Sequence, residues 1–414
     1  MRIRKKDCLL YLVFSTLFFW DLIERHFPKL QFVILLAILI LNINKINRYI
    51  TKNFMIISIV IFLHGFFNII FGNNNLQSFL VQYCSILVCY LCFSYVVGEY
   101  DSIKIISVYW KTAFIMSLFG VIEILLSLFK VSFNSKVLSL FINVSFTYPV
   151  IGPFPRIASL CNEPSFLGYF LAPSVFLIIY SLYKRDYSFI KFDGKVRIIQ
   201  ACIIFIIYLM TFSTVSYIGI IISFVLIFIN EKFTLKKIMI PIISVICVFS
   251  LYTMIPDFRM RIDDTYKMFF NDVTNSGSVN LSTYTFYANS RVAKESIIST
   301  SGFGTGLGSY KFQFDKYNIG SWGYSNLNLN REDGNSMLFR IPTELGIIGI
   351  ISVFLFLVYY AKKSQGKNKI YAMSLATLFL MTILRMGNYT HGGIWLYICL
   401  YVKLCDNKLN VNNF

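Results

Sequence analysis

The chain has 414 residues, of which 57% are apolar and 14% are charged, whereas soluble globular proteins carry roughly 25% charged residues. A mean hydropathy of +0.65, with 42 Phe and 27 Tyr, excludes intrinsic disorder and an ordinary soluble enzyme. The formal net charge of +18 does not indicate nucleic acid as a partner, because integral membrane proteins concentrate Lys and Arg in their cytoplasmic loops. The composition therefore predicts a polytopic membrane protein.

Apolar runs separated by short polar segments cover most of the chain, and each approaches the roughly 20 residues that one membrane-spanning helix needs. We predict one all-α integral membrane domain over 1–414, a helical bundle of about 12 transmembrane helices. The stretch 197–230 has about twice the length of one span, so it is divided at the sequence TFSTVSY. The predicted spans are 8–24, 30–44, 53–71, 76–97, 103–129, 165–183, 197–213, 215–230, 238–256, 336–361, 369–386 and 391–405.

Lys and Arg cluster in alternate connections, among them 45–52, 184–197 and 362–369. The positive-inside rule places these connections in the cytoplasm and predicts a multi-pass cell-membrane protein with both termini cytoplasmic. A long segment, 257–334, then lies on the extracytoplasmic side. Long loops are uncommon unless they carry function or are disordered, and this one holds aromatic and apolar positions. We expect it to form a helical cap over an outer cavity.

The sequence PRIASLCNEPSF, which contains Arg156, Ser159 and Glu163, leads into the sixth predicted span. Pro164 suits the first turn of that helix, with Asn162 or Glu163 as its cap. The positive end of the helix dipole then points to the outer surface, where an anion can bind. Two interpretations remain open: Glu163 only caps the helix while Arg156 pairs with it or with lipid headgroups, or both residues act on a ligand.

Further polar groups are predicted on the same outer face. Arg340 precedes Glu344 by four residues, so the two can form an ion pair on one helical face. Arg385 stands at the outward end of the eleventh span and can extend to the surface. The tract GFGTGLG over 302–308 matches neither GxGxxG nor a P-loop, so no nucleotide cofactor is predicted, and a flexible turn is its default interpretation.

Four arginines are predicted to collect on the outer face around the carboxylate of Glu163, namely Arg156, Arg291, Arg340 and Arg385, and the sequence shows no metal-binding constellation beside them. Neither a metal nor a cofactor is therefore predicted. Guanidinium groups bind phosphate oxygens bidentately and stay charged, which suits a pyrophosphate-bearing lipid such as a polyprenyl-pyrophosphate sugar. Arginines also stabilise a departing pyrophosphate without a divalent metal. Glycosyl transfer needs a base for the acceptor hydroxyl, and Glu163 is the carboxylate best placed for that role.

The segment PRIASLCNEPSFLGYF resembles the Arg-x-x-Ser-x-x-x-Glu-Pro motif of the O-antigen polymerase (Wzy) and O-antigen ligase superfamily. GNSMLFRIPTELGIIGI and LRMGNYTHGGIWLY are also similar to that family. The resemblance implies a metal-independent glycosyltransferase of the bacterial inner membrane with an extracytoplasmic active face. It implies transfer of a growing glycan from undecaprenyl pyrophosphate to an incoming lipid-linked repeat unit.

The resemblance and the positions of the residues together give a predicted site. The predicted catalytic residues are Glu163 and Arg156. The predicted pyrophosphate- and glycan-binding residues are Ser159, Arg291, Asn335, Arg340, Arg385 and His391. For His391 a hydrogen-bonded interface residue is the alternative interpretation.

The predicted function is that of a polysaccharide repeat-unit polymerase, for capsule, O-antigen or exopolysaccharide. The alternatives are an O-antigen ligase-type transferase and a lipid-linked oligosaccharide flippase or transporter. A ligase is expected to have His before Asn335, where this sequence has Gly334, and that departure favours a polymerase. A flippase should distribute charges through its spans, whereas the polar residues here gather at one face. The expected partners are the lipid-linked oligosaccharide donor and acceptor, membrane lipid, and flippase and chain-length regulator proteins.

Overall fold

The structure is a computed structural model, and its described residues are mostly α-helical, as predicted. Strands occur there as two antiparallel pairs. The described residues are 8–18, 29–129, 150–151, 154–161, 163–231, 242, 245–246, 249–250, 252–253, 256–270, 279–318, 328–390 and 393–406.

The first part of the chain forms helices whose starts are fixed by short polar side chains. Thr51, Asn75 and Asp101 each accept a hydrogen bond from a backbone N–H in the first turn of the helix that follows. The second and third helices meet at a bend, and the pair with its 3-10 extension is bent by 79°. The elements are α1 (Cys8–Phe18), α2 (Leu30–Leu41), α3 (Ile43–Ile46), a 3-10 turn (Asn47–Tyr49), α4 (Lys52–Ile70), α5 (Leu76–Glu99) and α6 (Ser102–Leu128).

The middle of the chain is built around one central helix, α7 (Pro164–Lys184), which is buried along most of its length. Pro164 stands in its first turn, where the missing N–H of proline costs no helical hydrogen bond. In the strand pairs Val150 lies opposite Pro155, and Lys191 lies opposite Val196. The remaining elements are β1 (Val150–Ile151), β2 (Phe154–Pro155), a 3-10 turn (Tyr187–Ile190), β3 (Lys191–Phe192), β4 (Lys195–Val196), α8 (Ile198–Met210) and α9 (Thr214–Asn230).

The predicted break within 197–230 is confirmed, because α8 ends at Met210 and α9 begins at Thr214. Polar groups at the break bind one another inside the bundle. The Thr211 and Ser216 hydroxyls lie 2.7 Å apart, and the Tyr208 hydroxyl donates to the Ser216 carbonyl over 2.6 Å. The break therefore leaves these polar groups satisfied within the protein.

The last part of the chain contains α10 (Pro256–Phe270), α11 (Leu281–Ser299), α12 (Tyr310–Tyr317), α13 (Met337–Lys363), α14 (Gly366–Arg385) and α15 (Ile394–Cys405). Helices α11 and α12 fall within the predicted cap segment 257–334, and α11 packs against α13. The described part of that segment is thus largely helical. Its role as a cap over a cavity stays a prediction, and most of the predicted span 238–256 lies outside the described residues.

Helix α13 is interrupted at Gly346, whose φ of 67° and ψ of −162° are not helical. The glycine tract 302–308 pairs with the backbone around this interruption. Three hydrogen bonds join them: Thr305 N to Thr343 O (2.9 Å), Gly306 N to Glu344 O (2.8 Å) and Ile347 N to Gly302 O (2.9 Å).

Close backbone contact explains why this tract is rich in glycine. Gly304 has a φ of +79°, and a Cβ there would lie 2.4 Å from the Gly346 nitrogen. A Cβ on Gly308 would lie 2.7 Å from the Ser78 carbonyl oxygen of α5. The tract is therefore a packed connection between helices, rather than the flexible turn expected by default.

Five helices among the described residues are long and apolar enough to cross a membrane: α4, α5, α6, α7 and α13. The bent pair over residues 30–49 makes a sixth if it is counted as one span. Many apolar side chains on α4 are exposed, including Ile56 at 60% and Phe67 at 55%, as expected for a surface in contact with lipid. The larger number of spans stays a prediction.

The two ends of the bundle differ. At one end of the bundle, α7 and α13 begin and α14 ends. We call this the loop end. At the opposite end, α7 and α9 finish and Lys184 pairs with Glu231. Because Arg185 is exposed there and α13 ends with Lys362 and Lys363, we call it the basic end.

Candidate functional site

A polar group at the loop end joins three of the predicted site residues. Arg385 donates from Nη2 to Oε2 of Glu163 over 2.9 Å, and from Nη1 to Oδ1 of Asn335. The Glu163 side chain is 48% exposed and that of Arg385 is 19% exposed. The carboxylate is therefore reachable from solvent while the guanidinium is largely enclosed.

Glu163 takes its position from the start of α7. It is the N-cap residue, with extended backbone (φ −138°, ψ 149°), but its side chain makes no capping hydrogen bond. The carboxylate instead accepts a hydrogen bond from the Ser165 hydroxyl over 2.9 Å, beside the one from Arg385. Of the two interpretations left open by the sequence, side-chain capping does not describe this geometry.

Arg385 is the last residue of α14, and its guanidinium rests on an aromatic ring. The guanidinium carbon lies 5.4 Å from the centre of the Phe166 ring, within the range of a cation–π contact. Phe166 belongs to the first turn of α7, three residues after Glu163. The same helical turn thus supplies both the carboxylate and the surface on which the arginine rests.

Asn335 is placed by contacts between the start of α13 and the end of α14. Its backbone is left-handed, with a φ of 51°, a conformation that asparagine tolerates better than most residues. Next to it, the Ser336 hydroxyl donates to the Ile383 carbonyl over 2.9 Å, and Met337 N donates to Met386 O over 2.8 Å. These bonds tie the two helices together, so Asn335 lies beside Arg385.

Arg340 forms the ion pair predicted from its spacing, with Nε donating to Glu344 Oε1 over 2.9 Å. Its other nitrogens donate to Gln82 Oε1 (2.9 Å) and to the Gly387 carbonyl (3.0 Å), and the Tyr389 ring lies 4.7 Å from the guanidinium. Only 4% of Arg340 is exposed. A ligand could bind Arg340 only by displacing these protein groups. In the structure, Arg340 instead holds the segment that follows Arg385, through Gly387 and Tyr389.

Further contacts fix α11 and α12 against this buried pair. Tyr310 N donates to Glu344 Oε1 over 3.2 Å, and the Tyr310 hydroxyl donates to Asn289 Oδ1 over 2.6 Å. Burial raises the pKa of Tyr310, so the hydroxyl keeps its proton and remains a donor. Arg291 follows Asn289 by two positions on α11 and is partly buried, and the ion pairs among the described residues do not include it.

The loop that precedes Glu163 is anchored inside the bundle. Ser159 is fully buried with a φ of 54°, and its hydroxyl donates to the Met116 carbonyl over 2.7 Å, so it faces α6 and not solvent. Arg156 is partly buried, and its Nε has no hydrogen-bond partner among the residues described. A buried donor without a partner is unfavourable, so this nitrogen is a candidate for binding a ligand.

The structure also reveals a contact that the sequence did not predict. Glu123 of α6 is 5% exposed, and its Oε2 accepts hydrogen bonds from the backbone nitrogens of Ala158 (3.1 Å) and Ser159 (2.8 Å). A carboxylate inside an apolar helix is a signal for a buried partner, but the partner is backbone, which side-chain patterns do not reveal.

His391 and Asn162 lie outside the described residues, so the predictions for them stay predictions. Over the described ranges, no group of three or more His, Cys, Asp and Glu side chains is arranged to hold a metal ion. No family model, curated protein or solved structure matches this chain. The geometry of the site and the chemistry of its residues are therefore the basis for a function.

Proposed function

We propose that the chain is a polysaccharide repeat-unit polymerase, a glycosyltransferase that uses undecaprenyl-pyrophosphate-linked glycans. The contact between Glu163 and Arg385 carries this proposal, because it places a solvent-reachable carboxylate beside a guanidinium at one end of an apolar helical bundle. A base and a phosphate-binding cation are the two groups that this reaction needs.

In the proposed reaction, a hydroxyl of the incoming lipid-linked repeat unit attacks the anomeric carbon of the growing glycan. A new carbon–oxygen bond forms as the bond from that carbon to the diphosphate oxygen breaks. The hydroxyl proton passes to Glu163, and the electron pair leaves with undecaprenyl pyrophosphate. Arg385 and Arg156 stabilise the departing anion, since guanidinium groups bind phosphate oxygens bidentately.

Arg385 has a further part in this proposal. Its guanidinium divides its hydrogen bonds between Glu163 and Asn335. A diphosphate would compete with Glu163 for Nη2, and its binding would release Glu163 to accept a proton, while Asn335 still holds the guanidinium through Nη1. Donor binding and activation of the base are then coupled through one side chain.

The surroundings favour a lipid-linked substrate over a soluble one. The site lies at one end of a bundle whose helices expose apolar side chains, and in a membrane the lipid headgroups would lie at such an end. Lys184, Arg185, Lys362 and Lys363 lie at the basic end, and the positive-inside rule therefore favours the loop end as the extracytoplasmic face.

Glycan chain length in cells that lack the gene tests the proposal. Cells that carry the wild-type gene should make a ladder of repeat units, and Glu163→Gln should reduce the ladder to single units. Glu332→Gln is the matched control. Glu332 is an exposed carboxylate that pairs with Arg331 and lies close in sequence to Asn335. Long-chain product from Glu163→Gln at the wild-type level would contradict the role of the base.

Cells that lack the gene also separate the alternatives, when the lipid carrier and the membrane leaflet of the glycan are determined. A ligase would leave full-length polymer on its lipid carrier when the gene is deleted. A flippase would leave the repeat units on the cytoplasmic leaflet, out of reach of impermeant reagents. Either result would overturn the polymerase proposal.

A further inference from the structure

The loop over residues 156–161 is held by its backbone. Ile157 N donates to the Met210 carbonyl at the end of α8 over 3.0 Å. Ala158 and Ser159 donate to Glu123 of α6. Two helices therefore hold three consecutive residues of the loop.

Glu123 is the hydrogen-bond acceptor in this arrangement. It is almost fully buried, and the ion pairs in the part of the chain that the structure describes do not include it. A buried carboxylate is unfavourable unless hydrogen-bond donors compensate for the lost water. The Glu123 Oε2 accepts from two adjacent backbone N–H groups, over 3.1 Å and 2.8 Å, so the contact fixes the position of the loop at both residues.

The held residues lie between two groups of the proposed mechanism. Arg156 precedes Ala158 by two positions, and Glu163 follows Ser159 by four. Ser159 keeps a left-handed φ of 54°, which persists only where surrounding contacts fix it. Movement of Ser159 would therefore displace both Arg156 and the start of α7.

We infer that Glu123 is a positioning residue for the reaction, one that sets the places of Arg156 and Glu163 without touching substrate. This inference rests on the proposed function. Small displacements of catalytic groups are costly, since a shift of about 1 Å is enough for a loss of roughly a hundredfold in rate.

Cys161 gives a readout of loop position that does not depend on activity. It is 1% exposed and ends the turn in which its N–H donates to the Ala158 carbonyl over 3.0 Å. Full-length protein in membranes would be treated with a maleimide, and labelling of Cys161 would be followed by mass spectrometry. Glycan chain length and polymer turnover would be measured on the same variants.

The expected results differ between variants. Glu123→Leu removes the acceptor, so labelling of Cys161 should accelerate at least about tenfold and polymer turnover should fall roughly a hundredfold, mostly in kcat. Glu123→Gln keeps an acceptor oxygen and should stay near wild type in both. Ser117→Ala is the control, because its buried hydroxyl bonds within α6, to the Ala113 carbonyl.

Unchanged labelling in Glu123→Leu would overturn the inference, and so would faster labelling with wild-type turnover. If Glu123→Leu does not accumulate in the membrane, Glu123→Asp takes its place. The shorter side chain should also loosen the loop, so faster labelling of Cys161 and slower turnover are expected again, and unchanged labelling would overturn the inference. A wild-type chain that makes no polymer would overturn the proposed function instead, and the labelling results would show separately whether Glu123 holds the loop.

Discussion

Arg385 and Glu163 are 222 positions apart in the chain, yet a guanidinium nitrogen of one donates to a carboxylate oxygen of the other over 2.9 Å. The contact joins the last residue of α14 to the N-cap of α7. It brings a cation and a carboxylate to the same end of the bundle, where the proposed reaction needs both.

Asn335 should matter through its side-chain oxygen. Asn335→Gly keeps the left-handed backbone but removes the acceptor for Arg385, so turnover should fall about tenfold, the loss expected for one hydrogen bond to a charged group. Asn335→Ala should also lower the free energy of unfolding by about 1 kcal/mol, because alanine is strained at this φ. Asn328→Gly is the control, since Asn328 is an exposed residue that also has a positive φ of 45°. Equal turnover of Asn335→Gly and wild type would show that Arg385 does not need this acceptor.

Gly304 should be essential for the stability of the α13 interruption. A Cβ at Gly304 would overlap Gly346 N at 2.4 Å, so Gly304→Ala should cost roughly 1–3 kcal/mol from overpacking beyond the strain of its φ. Gly72→Ala isolates that strain, because Gly72 has a φ of +73° and nothing within 4 Å of a built Cβ. Thermal unfolding in detergent compares the two variants. Equal midpoints would mean that the tract is not tightly packed against α13.

The buried pair of Arg340 and Glu344 should be more costly to break than to replace. Arg340→Met alone leaves a carboxylate buried without its cation and should cost roughly 3–5 kcal/mol. The double variant Arg340→Met with Glu344→Leu should cost less than the sum of the two single changes. The free energies of unfolding of Arg340→Met, Glu344→Leu and the double variant give the coupling energy between the two residues. Arg331→Met, at the exposed pair with Asp315, should remain near wild type, and a similar loss there would argue against a special role for burial.

Gly168 should be constrained by one atom of α9. A Cβ at Gly168 would lie 1.9 Å from the Ser216 Oγ, so Gly168→Ala should destabilise the protein by roughly 1–3 kcal/mol. Ser216→Ala removes that oxygen and leaves the Cβ of residue 216 at 3.1 Å, so Gly168→Ala should cost much less in that background. The unfolding midpoints of the two single variants and the double variant test this. An additive loss would contradict the contact between α7 and α9.

Local features of the fold followed from the sequence. The break between α8 and α9, the start of α7 at Pro164 and the pair of Arg340 with Glu344 all depend on residues close in the chain. Hydrophobic runs and i,i+4 spacing reflect such features directly.

Contacts between distant segments could not be predicted from the sequence. The backbone bonds accepted by Glu123 and the packing of the glycine tract depend on which helices lie side by side. The motif also predicted a ligand-binding role for Ser159, whereas the structure buries its hydroxyl against the Met116 carbonyl. The spacing of residues along one sequence does not show how far a side chain is buried by another part of the chain.

Purified protein in liposomes, supplied with an undecaprenyl-pyrophosphate-linked repeat unit, provides the most direct test of the central claim. The wild-type chain should release one undecaprenyl pyrophosphate for each unit added, and Glu163→Gln should be at least about a hundredfold slower. Extension by Glu163→Gln at the wild-type rate, or no release of undecaprenyl pyrophosphate by the wild-type chain, would contradict the proposed mechanism.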